Sequence, residues 1–120
     1  MAVATLAFET CALHPRLNSD LLLTAAILHD IGKTREFELG ADISLSEEGR
    51  MLGHVTLGHG MVMERARAVG TPREALLAVC HCIHGHHGPD PRFRSPEALA
   101  LYRLNAVDAA VKGALEHGLP

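Results

Sequence analysis

The sequence predicts an all-α fold, a compact bundle of about five helices, and three observations carry that expectation. Hydrophobic residues make up 48% of the chain while aromatics make up 3% and tryptophan is absent, so the core must be built from Leu, Ala, Val and Met, which suit helix-on-helix packing. The segment from Leu21 to Ile31 is apolar on nearly every side of a helical wheel, the pattern of a central helix rather than a surface one. Helix start and stop signals recur along the chain, with neither a linker nor an internal repeat between them. At 120 residues the chain is expected to form one domain, residues 1–120, long enough to bury a core without disulfides.

The elements follow in order. A first helix runs from about Met1 to Leu13 and is ended by His14-Pro15, because proline biases its predecessor away from the helical region. The second begins at Asn18-Ser19-Asp20, all competent caps, and ends around Gly32. Phe37 to Gly49 has few apolar residues at helical spacing and several turn formers, and reads as a loop. A third helix covers Arg50 to Val69 and stops at Gly70. Thr71-Pro72-Arg73-Glu74 predicts a capping box opening a fourth helix that reaches about Ile83. Gly85 to Arg94 is rich in glycine and proline and reads as loop; Ser95-Pro96-Glu97 then starts a fifth helix that reaches about His117.

Charge and cysteine usage exclude several classes. Eleven Lys and Arg against 14 Asp and Glu give a net charge of −3, with no basic run to serve as a nucleic-acid footprint. Three cysteines, Cys11, Cys80 and Cys82, are too few for a disulfide framework, and no secretory signal opens the chain, so a reducing cytoplasm is the expected location. The apolar run from Leu21 to Leu28 is far short of the ~20 residues that cross a bilayer. The outlier is histidine, nine residues, most of them between His54 and His87. That composition points to metal before it points to a polymer.

The chemistry concentrates at Leu28-His29-Asp30-Ile31-Gly32-Lys33, an imidazole and a carboxylate set in an apolar segment. A buried carboxylate must be paired, protonated or given to a metal. His54 lies in the first turns of the third helix, and His59, five residues on, points elsewhere. His86 and His87 follow the fourth helix in a Gly-flanked loop; Asn105 and Asp108, three residues apart, share a face of the fifth. Imidazole and carboxylate donors converging from several helices are how bundles build metal centres. His59, His81 and His84 read more readily as core or surface histidines than as ligands. Cys80-His81-Cys82 lacks the spacing of a structural zinc cluster.

His29-Asp30-Ile31-Gly32-Lys33, then Gly53-His54-Val55, then Gly85-His86-His87-Gly88, then Asn105 to Ala109, resemble in order and spacing the HD-domain metal-dependent phosphohydrolases. The likeness covers nearly the whole chain. Pro15-Arg16-Leu17-Asn18, Glu48-Gly49 and Ser95-Pro96 are most similar to the HD portion of bacterial 3′→5′ exoribonucleases that carry an OB-fold in front. The resemblance implies a helical HD fold with one or two divalent ions that activate water for attack at phosphorus. It implies that His29 ligates one ion, that Asp30 ligates or bridges both, and that His54, with His86 and His87, completes the coordination of the second ion. Asp30 and Lys33 become the catalytic pair, with Lys33 on a phosphate oxygen. Such mixed ligands suit Mn, Fe, Zn or Ni better than Mg alone.

Two positions depart from the family pattern. Its first ligand histidine has no counterpart in the first helix, and matching Ala2 to Ala7 places it just upstream of Met1, so the start of that helix is expected to lie there. Its final aspartate is replaced by Asn105, with Asp108 three residues on as the nearest carboxylate. Arg92 and Arg94, after the double histidine, are the candidates for contacting further substrate phosphates. The expected function is hydrolysis of a small nucleotide or short phosphodiester. Long single-stranded RNA is not expected for this chain alone, since stacking platforms need aromatics and only Phe8, Phe37, Phe93 and Tyr102 are present. The alternative is a degenerate or truncated HD domain that binds metal, a regulator or a partner. The uncapped apolar start of the first helix leaves surface for missing residues or for a partner such as a second copy.

Overall fold

A computed structural model of the chain describes residues 2–40, 43–85 and 92–119. It is helical throughout apart from one hairpin, as the composition predicts. The elements are α1 (Ala2–Leu13), α2 (Ser19–Leu28), the one-turn α3 (Lys33–Glu36), β1 (Phe37–Leu39), β2 (Ile43–Leu45), α4 (Glu47–Val69), α5 (Arg73–Gly85) and α6 (Pro96–His117).

The core lies where α1, α2, α5 and α6 meet. Leu22, Ile83, Leu101 and Cys82 are its largest fully buried side chains, with Val3, Ala7, Ala25, Ala26 and Ala98 filling the gaps between helices. Small residues at these contacts let the helix axes approach, which compensates for the scarcity of aromatics. Asn18 both caps α2 and ties its start to α6. Its side chain accepts from the Leu21 N–H at 3.1 Å, and the Asn18 N–H donates at 2.9 Å to Oε2 of the buried Glu97, in the first turn of α6. Ser95 caps α6 by accepting from the Ala98 N–H, as its sequence predicts.

Several expectations are corrected. α2 ends at Leu28 rather than Gly32, because the chain turns tightly through residues 29–32 before α3. It is not buried all round: Leu22, Ala25 and Ala26 face the core while Ile27 is 59% exposed. The segment read as a loop contains an antiparallel hairpin, Phe37 opposite Leu45 and Leu39 opposite Ile43, and α4 starts at Glu47 behind a Ser46 cap. α5 opens with the Leu76 N–H donating to the Pro72 carbonyl, so Pro72 occupies the cap position expected for Thr71. Among the described residues no helix is long and apolar enough to cross a membrane.

Candidate functional site

The site begins where α2 stops. His29 takes the C-cap position with helical angles, and Lys33, Thr34 and Arg35 then donate to the carbonyls of Asp30, Ile31 and Gly32. These turns carry His29 and Asp30 off the end of the helix toward α4. His29 is buried, and its Nδ1 lies 2.6 Å from the Ala26 carbonyl oxygen. A carbonyl only accepts, so Nδ1 holds the hydrogen and Nε2 faces Oδ2 of Asp30 at 3.1 Å. Lys33 Nζ reaches the same oxygen at 3.4 Å. Burial works against a charged imidazole at His29. The hydrogen bonds to Asp30 and the Ala26 carbonyl, with the Asp30 charge, outweigh it and leave the His29 pKa above its ordinary 6.5.

The opposite wall comes from α4, which is broken at Gly53, whose φ of +76° and ψ of 165° are available to glycine and strained for other residues. His54 therefore starts a new helical segment. Its backbone N–H donates to Glu36 Oε2 at 2.9 Å, and its ring Nδ1 lies 3.3 Å from the same oxygen. Its Nε2 stands 3.7 Å from Asp30 Oδ1. The two walls close on each other without side chains between them: a Cβ on Gly32 would lie 1.8 Å from the His54 carbonyl oxygen and 2.6 Å from the Gly58 nitrogen.

The Asp30 carboxylate thus sits between two imidazoles, Oδ2 toward His29 and Oδ1 toward His54, and each imidazole has its Nδ1 engaged by a neighbouring oxygen acceptor. That leaves both Nε2 atoms aimed at the carboxylate, the arrangement by which ligating histidines are oriented. Imidazole nitrogens and a carboxylate oxygen are the donor types that borderline divalent cations take. Among the described residues, however, no group of three or more His, Cys, Asp or Glu is placed to hold an ion, so these three do not by themselves make a metal site.

The remaining sequence candidates divide. His86 and His87 lie outside the described residues. The Asp108 carboxylate is paired with Lys112 at 3.0 Å along α6, with Asn105 half-buried one turn before it. Arg92 and Arg94 are exposed, and the Arg94 backbone N–H donates to His81 Nε2 at 3.1 Å. His59 turns away from His54 and contacts His84 of α5. A cleft of about 880 Å³ between α2, α4 and α5 is lined by Leu21, Leu28, Ile31, Val62, Leu76 and Val79 among others, and neither His29, Asp30 nor His54 lines it. Its lining also includes Asp20, Arg35, Glu64 and Arg65, but among the described residues no histidine.

Sequence reasoning missed Glu36 and Gly58. An acidic residue three positions past Lys33, ahead of a turn-rich stretch, was the available signal for the first; the second becomes visible only once α4 is packed on the Gly32 turn.

The HD domain family model matches residues 1–110. Curated relatives include the 3′-5′ exoribonuclease YhaM of Shouchella clausii, 33% identical over 105 residues, covering 82% of this chain and 33% of the relative. The same-named proteins of Halalkalibacterium halodurans and Bacillus subtilis are 30% and 33% identical over 115 residues, each covering 91% of this chain and 36% of the relative. The chain thus spans about a third of the length of the curated relatives it matches. No solved structure is a significant match. With the His29-Asp30 pair facing His54 across the α2–α4 junction and a family match over residues 1–110, the chain belongs to the HD-domain family, hydrolases of the metal-dependent phosphohydrolase type.

Proposed function

We propose that this chain carries a metal-dependent phosphohydrolase site acting on a small nucleotide or short phosphodiester. The observation that supports it is the Asp30 carboxylate set between the Nε2 atoms of His29 and His54. These three, with His86 and His87 from the segment after α5, are the proposed ligands; Asp108, engaged by Lys112, is left out of the set. A bound divalent ion supplies Lewis acidity and a water activated at neutral pH.

The chain's own residues do the rest. Asp30 presents both oxygens, one to each histidine. His29, held through Nδ1 by the Ala26 carbonyl, would offer Nε2 to the ion without rotation of the ring, provided that nitrogen is deprotonated. Lys33, 52% exposed and 3.4 Å from Asp30, stands at the rim, where its ammonium can hold a non-bridging phosphate oxygen. Arg92 and Arg94, both exposed, are the proposed contacts to further phosphates. The named relatives act on RNA from the 3′ end, which favours a nucleotide phosphodiester as the substrate class. The second reading, a domain retained for regulation or partner binding, is favoured by Asn105 at the family's final aspartate position.

Metal analysis of protein purified without chelator or nickel resin separates the two, alongside hydrolysis of bis(p-nitrophenyl) phosphate and of short oligoribonucleotides. About one or two equivalents of Mn, Fe or Zn are expected, lost together with hydrolysis in Asp30→Asn. A wild-type protein without bound metal, or hydrolysis unchanged in Asp30→Asn, would refute the enzyme.

A further inference from the structure

We propose that Glu36 is the positioning residue that sets the tautomer and the aim of His54. Its consequence for metal affinity rests on the function proposed above; its effect on the imidazole does not.

Glu36 ends α3, and its backbone is held from three sides. The Ser46 N–H donates to the Glu36 carbonyl at 2.8 Å, the Ser46 hydroxyl lies 3.0 Å from it, and a Cβ on Gly49 would come within 2.1 Å of that same oxygen. The side chain is thereby directed inward, 14% exposed, against α4. There the Gly53 break turns the His54 N–H away from the carbonyl four residues back and onto Glu36 Oε2 at 2.9 Å, with His54 Nδ1 at 3.3 Å from the same atom. One oxygen thus addresses both the backbone and the ring of a single residue, which fixes the ring plane as well as its distance. A carboxylate accepts and does not donate, so the ring hydrogen belongs on Nδ1 and the Nε2 lone pair is turned toward Asp30 Oδ1. Remove the carboxylate and nothing in that contact favours Nδ1–H over Nε2–H. With the hydrogen on Nε2, His54 presents a donor to Asp30 and no lone pair to a cation.

A staple that merely joined α3 to α4 would also cost stability when cut, so the deciding readout is the tautomer. In metal-free 15N-labelled protein with EDTA at about pH 8, where an ordinary imidazole is neutral, long-range 15N–1H correlation spectra report which ring nitrogen of His54 is protonated. Wild type is expected to show Nδ1–H. Glu36→Ala is expected to lose that preference, and Glu36→Gln to keep it, because the amide oxygen still accepts. His29, whose Nδ1 bonds the Ala26 carbonyl, serves as an internal control and should not change in either variant. Affinity for Zn2+ or Mn2+ should fall about 10–100-fold in Glu36→Ala and recover in part in Glu36→Gln. Retention of Nδ1–H at His54 in Glu36→Ala, or an equal change at His29, would overturn the assignment. If wild type binds neither ion but His54 still switches tautomer with Glu36, the positioning role stands and the hydrolase proposal fails.

Discussion

Replacing Gly32 by alanine tests whether the candidate site depends on direct backbone contact between the His29-Asp30 turn and α4. Gly32 has φ −61° and ψ −22°, angles that alanine adopts freely, so the substitution carries no torsional cost. Its cost is steric: the new Cβ would lie 1.8 Å from the His54 carbonyl oxygen, 2.6 Å from the Gly58 nitrogen and 2.7 Å from the His54 carbonyl carbon. All three are backbone atoms, so no rotamer change relieves the overlap. Moving from 1.8 Å to the 3.0 Å below which such contacts essentially never occur requires the two backbones to part by about 1.2 Å. Applied across the site, that shift takes His54 Nε2 from 3.7 Å to at most about 4.9 Å from Asp30 Oδ1. Overpacking of this kind costs about 1–3 kcal/mol, or roughly 4 °C of melting temperature per kcal/mol for a chain of this length. A ~1 Å displacement in a catalytic constellation costs on the order of 100-fold in rate. Circular dichroism melts in EDTA measure the first effect, and metal titration with phosphodiester turnover the second. Gly60→Ala is the control: its Cβ meets nothing within 4 Å inside α4, and it should gain about 0.5–1 kcal/mol. Gly32→Ala melting within about 1 °C of wild type and binding metal equally well would refute the close-approach argument.

Two further outcomes follow from the same structure. The raised pKa of His29 means that its pairing with Asp30 stabilises the metal-free protein fully below the ordinary imidazole value of 6.5 and is lost as pH rises through the folded value. Urea midpoints in EDTA should therefore fall more steeply above about pH 6.5 for wild type than for Asp30→Asn, whereas the stabilisation conferred by added Zn2+ should grow with pH because the ion displaces a proton; parallel pH profiles for the two proteins would contradict the linkage. Glu97→Ala removes the acceptor of the Asn18 N–H at the start of α2 and should cost about 1–3 kcal/mol, with Glu97→Gln costing less because an amide oxygen remains, and a Glu97→Ala melt equal to wild type would show that water replaces the carboxylate.

What could be read from the sequence was whatever is decided by neighbours along the chain. Asn18 before α2 and Ser95-Pro96 before α6 are local capping choices, and both helices start where those residues place them. The chain order His29-Asp30, His54 marked the two walls of the site for the same reason, since each motif is short and contiguous. The pairing of β1 with β2 was not legible because these two three-residue strands pair mainly with each other and present exposed Phe37, Ile43 and Leu45, so no buried face imposes an alternating pattern. Gly53 sits in a stretch whose residues otherwise propagate helix, and nothing beside it announces a positive φ. Gly32 reads as a helix stop, yet its φ is negative and its role is contact with residues more than 20 positions away.

The missed features are therefore the ones that assemble the site. A continuous helix from Asn18 to Gly32 would keep His29 and Asp30 on the helix surface, and an unbroken α4 would spend the His54 N–H on its own turn. Ending α2 at Leu28 and breaking α4 at Gly53 frees backbone and side-chain polar groups on facing surfaces, where Ala26, Glu36 and Asp30 engage them. Each interruption gives up helical hydrogen bonding, and the contacts that replace it converge on one carboxylate. With α2 ending and α4 breaking on facing sides of Asp30, His29 is held through Nδ1 by Ala26 of α2 and His54 through Nδ1 by Glu36 of α3; core packing alone does not call for this arrangement, and that is the physical ground for proposing the chemistry there rather than in the cleft between α2, α4 and α5.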